Sequence, residues 1–162
     1  MFYIKKFEKE MQSQVTDFYR KCLPQSGRSF EPEGIHKCLT EIEKTYDFFL
    51  CLFDESEIIG TIAVNKMDEN KCELRSVYLL EEYHRKGLGT KLLQEAISYA
   101  KDYGFKEMYL DTISSTSEKA IKMYERCGFK ETERYKSTLY SDVFMKLSLY
   151  SAEGFTPYLK KP

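Results

Sequence analysis

Residues 72–93 read CELRSVYLLEEYHRKGLGTKLL, and the texture changes inside this stretch. Cys72 to Leu80 reads as a strand. From Gly87 the period is helical: Leu88, Leu92, Leu93, Ala96, Ile97 and Ala100 fall on one broad face, and Gly104 stands where a helix stop belongs. The joint between them is Glu82 to Thr90, EYHRKGLGT. The first turn of a helix carries N–H groups with no internal partner, and the helix dipole adds positive character there. Gly87 and Gly89 remove side chains, so an anion can come close to the backbone, and Arg85 and Lys86 add full charges beside it. The turn therefore suits a pyrophosphate or a similar anion. It is not a Walker loop, since GxxxxGK followed by Ser or Thr is absent, and Leu92 stands where a dinucleotide fingerprint needs its third glycine. A solvated glycine loop is the plain alternative.

Outward from this joint the chain alternates strands and helices. Phe2 to Phe7 reads as an opening strand, and 8–22 and 33–45 as two helices separated by turn-rich Pro24 to Gly27 and Glu31 to Gly34. Asp47 to Phe53 and Ile58 to Lys66 read as strands joined by a polar turn, and with Cys72 to Leu80 they suit an antiparallel meander. Downstream, Lys106 to Thr112 is a strand, Ser117 to Cys127 a helix, Gly128-Phe129 a turn into further strand, and Tyr140 to Leu149 the last strand. The tail from Ser151 to Pro162 has no clear period. The order predicts an α/β (α+β) fold: a mixed sheet, antiparallel early, with one βαβ crossover between residues 72 and 112. A chain of 162 residues without repeat or linker fits a single domain over 1–162.

Composition narrows the partners. Lys plus Arg total 25 against 26 Asp plus Glu, a formal charge of −1, so no general field grips nucleic acid or an anionic membrane. Five cysteines at 22, 38, 51, 72 and 127 form no CxxC pair, and His36 and His84 lie far from any cysteine cluster, so no metal site is expected. The start MFYIKKFEKEM has no apolar leader core, and no run approaches a membrane span. A reduced, soluble, cytoplasmic protein is expected.

Cys72 to Leu93 resembles motif A of the GNAT superfamily, the CoA-dependent N-acetyltransferases, in which this strand, turn and helix hold the pyrophosphate and pantetheine of acetyl-CoA. Carried over by position, the cofactor-binding candidates are Val77, Tyr78, Leu79, His84, Arg85, Lys86, Gly87, Leu88, Gly89 and Thr90. His84 departs from the usual Gln or Arg; its ring can still donate a hydrogen bond, and a solvent-facing turn residue is the other reading. Ser115 to Phe129, STSEKAIKMYERCGF, is similar to motif B through Ala120, Tyr124, Gly128 and Phe129, with Ser117 where the family carries Asn. Ser117, Ala120 and Tyr124 join the cofactor-binding candidates. The resemblance implies a mostly antiparallel central sheet with helices on both faces and acetyl-CoA as cosubstrate. The implied partner is an amine of a small molecule, peptide or protein. Edge strands in such sheets often pair, which leaves a homodimer open.

The resemblance also implies a mechanism of direct attack by a neutral amine on the thioester. The carbonyl oxygen needs a donor, the amine must lose a proton, and the thiolate must be stabilised. The family's donor is a backbone N–H freed by a strand bulge, here Val77 or Tyr78. Its acid is a Tyr at the position of Tyr124, which spacing alone reads as an aromatic core residue. Glu73 is the candidate base, with Asp111 a second carboxylate; each has an ordinary structural explanation, Glu73 as a partner of Arg75 or solvent. Cys72 and Cys127 read as structural thiols. A non-catalytic acyl-CoA-binding module and an unrelated nucleotide-binding domain are the competing readings.

Overall fold

Two apolar runs pair as neighbouring strands in the computed structural model, which describes residues 1–150. The runs are β2 (Phe48–Asp54) and β3 (Glu57–Lys66), paired antiparallel from Phe48↔Val64 to Asp54↔Glu57. Their interiors are buried without alternation, as strands covered on both faces require. The hairpin turns at Glu55-Ser56, with Glu55 left-handed at φ 52. The opening strand β1 (Phe2–Lys6) pairs antiparallel with β2. With β4 (Lys71–Leu79), β5 (Glu107–Thr112), β6 (Lys130–Glu131) and β7 (Val143–Ser148), the strand order is β1-β2-β3-β4-β5-β7-β6. β4 and β5 run parallel, and the expected crossover between 72 and 112 carries α3 (Leu88–Tyr103). β5–β7 and β6–β7 are antiparallel.

The chain forms two compact units. The first comprises Met1–Asn65 and Arg75–Leu93, the second Lys66–Leu74 and, of the described residues, those from Gln94 onward. In the first unit α1 (Gln12–Gln25) buries Val15, Phe18, Tyr19, Cys22 and Leu23, an i, i+3, i+4, i+7, i+8 stripe. It runs through Pro24, three residues beyond the expected end at 22. The helix expected over 33–45 is not continuous. A 3-10 turn at Lys37–Thr40 and a short α2 (Ile42–Thr45) flank Glu41, whose φ −135 and ψ 54 are not helical. The break is held by Gln12, whose Nε2 donates to the Leu39 carbonyl (3.1 Å) while its Oε1 accepts the Ile42 N–H (2.9 Å). Those two bonds replace the ladder a continuous helix would have supplied.

In the second unit Cys72, Leu74, Ala96, Ala100, Phe105, Met108, Leu110, Phe129 and Met145 are buried. α4 (Glu118–Arg126) ends on Cys127-Gly128, with the Phe129 N–H returning to the Tyr124 carbonyl at 3.0 Å. The strand expected after Phe129 is only two residues long, and the last strand begins at Val143 instead of Tyr140. The tail from Ser151 lies outside the described residues. No helix among the described residues is long and apolar enough to cross a membrane.

Candidate functional site

In the first unit the site starts with an irregularity in β4. Ser76 is left-handed at φ 54 inside a strand, a conformation that costs a non-glycine residue about 1–3 kcal/mol and persists only where neighbours enforce it. The neighbours are hydroxyls. Thr61 donates to the Ser76 carbonyl at 2.8 Å, the Tyr19 hydroxyl lies 2.7 Å from Thr61 Oγ1, and the Tyr46 hydroxyl is 2.6 Å from Ser76 Oγ. Burial pushes the phenols of Tyr19 and Tyr46 above their ordinary range. The three residues after Ser76, namely Val77, Tyr78 and Leu79, are half-buried. Gly60 on β3 permits their approach. A Cβ there would stand 3.1 Å from both the Tyr78 carbonyl oxygen and Leu79 Cδ1, and 3.3 Å from Leu92 Cδ1.

The strand then enters a tight turn. After Leu80 a 3-10 turn spans Glu81–Tyr83, followed by Arg85 at φ 64 and Gly87 at φ 75, and α3 begins at Leu88. Among the described residues, no acceptor meets the backbone N–H groups from Arg85 to Thr90; the first closed bond is Lys91 N–H to the Gly87 carbonyl, at 3.1 Å. Successive N–H groups around left-handed residues at a helix start form an anion-binding concavity. Gly87 leaves it open, since a Cβ there would meet nothing within 4 Å. The turn is pinned from outside. Gln25 Oε1 accepts the Glu81 N–H (2.8 Å), Tyr83 donates to Asp54 (2.8 Å), and Lys21 lies between Glu57 (3.1 Å) and Glu82 (3.8 Å). The hydrogen bond to the Asp54 carboxylate raises the Tyr83 phenol to about 12. The His84 ring nitrogen Nε2 lies 2.9 Å from the Leu79 carbonyl. A carbonyl can only accept, so Nε2 carries the proton and this edge of the ring braces the strand end.

The second unit carries the other candidates. Glu73 on β4 is buried, and its Oε2 accepts both the Tyr135 hydroxyl (2.8 Å) and Lys136 Nζ (3.0 Å). Lys136 also reaches Asp111 at 2.8 Å, and Asp111 accepts the Ser141 hydroxyl. Burial pulls the Lys136 ammonium down, but its bonds to Asp111 and Glu73 more than offset this and hold it above the usual lysine value. Tyr135 stacks edge-on with Tyr109 at 5.0 Å and with Phe144 at 5.6 Å. On α4, Tyr124 is buried with its ring 5.7 Å from Phe129, the inner-face position its spacing predicts. Ser117 occupies the N-cap position without capping the helix; its Oγ accepts from Thr112 at 2.7 Å. Ala120 is half-buried one turn before Tyr124. Burial raises the Cys72 thiol to about 12, and burial raises that of Cys127 against the opposing pull of Arg126. Neither is an activated nucleophile.

The structure thus gathers Val77, Tyr78, Leu79 and His84 to Thr90 in the first unit, and Glu73, Ser117, Ala120 and Tyr124 in the second. Sequence reasoning missed Tyr19, Tyr46, Gly60, Thr61, Tyr135 and Lys136. One signal was available: Gly60 and Thr61 interrupt an otherwise apolar run, IIGTIAV, from Ile58 to Val64. Nothing periodic marks Tyr135 or Lys136. Among the described residues, no group of three or more His, Cys, Asp or Glu could hold a metal ion.

The chain was compared with known proteins. The model of the acetyltransferase (GNAT) family matches residues 11–129. The uncharacterized N-acetyltransferase YjgM of Escherichia coli is 34% identical over 82 residues, 49% of this chain and 48% of that protein. The chain spans about half the length of the curated relatives it matches first. Among solved structures, a GNAT-family acetyltransferase from Staphylococcus aureus superposes with a TM-score of 0.81 at 21% identity, covering 93% of this chain and all of that one (100%). The PaiA N-acetyltransferase from Thermoplasma acidophilum, solved in complex with coenzyme A, gives 0.73 at 23% identity, covering 91% and 99%. These likenesses bear out the mixed, mostly antiparallel fold. A family match that runs from the first helix through the turn at 85–90 to Phe129 answers the question the two motifs raised: the chain belongs to the GNAT family of acetyltransferases.

Proposed function

We propose that the chain is an acetyl-CoA-dependent N-acetyltransferase in which a primary amine of a small molecule or peptide attacks the thioester directly, the whole of 1–162 serving as one acetyltransferase domain. The observation that carries the reading is the run of backbone N–H groups from Arg85 to Thr90 that meets no acceptor among the described residues. Such a cradle fits a diphosphate, and the side chains of Arg85 and Lys86 beside it are exposed. The solved relative that holds coenzyme A supports the choice of carrier.

Acetyl-CoA, when bound, supplies an activated acetyl group and a thiolate leaving group. The chain's residues do the rest. The turn from Arg85 to Thr90 anchors the diphosphate and Leu79 contacts the pantetheine in the first unit; in the second, the family's pantetheine contacts fall on Ser117 and Ala120. The Val77 or Tyr78 N–H donates to the carbonyl oxygen as charge develops there. Tyr124 gives its phenolic proton, or a hydrogen bond, to the departing sulfur. Glu73 takes the proton of the amine, directly or through a water.

One observation favours a second reading, a module that binds acyl-CoA without turnover. Glu73 Oε2 already accepts two donors, which occupy lone pairs that a base would offer to an amine proton. Both readings are tested together. Calorimetry should show coenzyme A binding to the native chain and no binding to Gly89→Glu, which places bulk and negative charge in the cradle. Thiol release from acetyl-CoA with a panel of polyamines, aminoglycosides, amino acids and peptides then separates the two, since a binder releases none. Unchanged affinity in Gly89→Glu would put the diphosphate elsewhere.

A further inference from the structure

The geometry points to a role for two residues outside the family's motifs: Tyr19 and Thr61 are positioning residues that aim and polarise the Val77 N–H. The inference rests on the proposed function, in which that N–H, or its neighbour's, meets the thioester oxygen. Thr61 has one proton, and it goes to the Ser76 carbonyl at 2.8 Å. The bond between Tyr19 and Thr61, 2.7 Å long, must then be donated by Tyr19. The buried chain has a single direction: Tyr19 O–H to Thr61 O–H to the Ser76 carbonyl.

The Ser76 carbonyl and the Val77 N–H belong to one planar peptide unit, and no peptide bond among the described residues is cis. In a trans unit the two groups point to opposite sides. A hydroxyl that fixes the carbonyl end therefore fixes the direction of the N–H end. Drawing electron density onto the carbonyl oxygen also makes the N–H a better donor, and hydrogen bonds in series strengthen one another in a site shielded from water. Thr61 and Tyr19 are fully buried at 0% exposure, so water does not compete for the relay. Burial keeps the Tyr19 phenol protonated. The left-handed Ser76 gains from the same bonds, with Tyr46 on its side chain.

The test uses the full chain with acetyl-CoA and coenzyme A as probes, which differ only by the acetyl group. In the native protein the Val77 amide proton should move downfield with acetyl-CoA relative to coenzyme A. Thr61→Val, which keeps shape and removes the donor, should abolish that difference. It should lower kcat for thiol release, to water or to the best amine of the panel, by about tenfold, while coenzyme A affinity by calorimetry stays within about twofold. Thr61→Ser should restore both readouts. Tyr19→Phe keeps the Thr61 donor but not its polarisation, and should give a smaller loss in the same direction; it decides the matter if Thr61→Val does not fold. A native acetyl-dependent shift and native kcat in Thr61→Val, or in Tyr19→Phe where that variant decides, would overturn the relay. Failure of either probe to move any amide from 77 to 90 would overturn the site reading beneath it.

Discussion

Tyr124 lies buried against Phe129 on α4, a short helix of the second unit, and its burial alone is what any core aromatic would show. Chemistry separates the two readings. A phenol that protonates the leaving sulfur matters only once the bond to carbon is breaking, so its loss falls on turnover and not on binding. Tyr124→Phe should therefore lower kcat by about 10²–10⁴-fold, with coenzyme A affinity in calorimetry unchanged. Equal losses in affinity and turnover would return Tyr124 to the core. At this scale the sequence was most informative where the proposed site is built from the main chain. The Gly87-x-Gly89 turn and its basic pair were legible because a helix start and two missing side chains are written in the residue types. Glu73 was legible as a carboxylate but not by its partners, because Tyr135 and Lys136 come from 62 and more residues away in sequence and no local period reports such a contact.

Among the elements, the segment between β6 and β7 does most to set the electrostatics of the second unit. It supplies Tyr135, Lys136 and Ser141 to the carboxylates of β4 and β5. Removing the ammonium leaves two mutually repelling carboxylates, Glu73 with 11% and Asp111 with 18% of their side-chain surface exposed. Lys136→Met should then cost about 1–3 kcal/mol at pH 7–9, below a fully buried pair because Lys136 is partly solvated. The ammonium titrates above its ordinary value of 10.5 in the folded chain, so its contribution is complete below that value and fades as pH rises through the raised one. Urea melts of both proteins should run parallel to pH 9 and converge in strong alkali; a gap that persists there would trace the loss to packing. Elements with a clear period were read to within a residue or two: β2, β3, β4, β5, α3 and α4. The helix expected over 33–45 failed because Gln12, at the start of α1, takes the hydrogen bonds of Leu39 and Ile42, a tertiary override that propensity cannot anticipate.

Across the whole molecule the near-neutral charge gives no field to predict a ligand from, so any anion site has to be local, as the proposed cradle at 85–90 is. The meander and the crossover followed from the order of periodic segments; the left-handed backbone at Ser76 did not, since hydroxyls from α1, β3 and the end of α2 hold it. The cysteines, widely spaced and free among themselves, turn this folded state into a measurement. Cys22, Cys51 and Cys72 are buried, and burial lifts each thiol to about 12. Only the thiolate reacts, so at pH 8 these three should resist an aromatic disulfide reagent while Cys38 and Cys127, both partly exposed, are modified first. All five should react at once in guanidinium. When labelling waits on unfolding, its rate follows the population of the open chain, which a ligand of the native state lowers by the factor 1 + [L]/Kd. Acetyl-CoA, whose acylated sulfur does not consume the reagent, should therefore at a hundred times its Kd slow labelling of Cys22 and Cys51, which lie in the unit that carries the proposed cradle, by about a hundredfold. ATP or NAD at the same concentration should leave the rate alone, and equal protection by all three would mean that the turn reads a bare diphosphate and not its carrier.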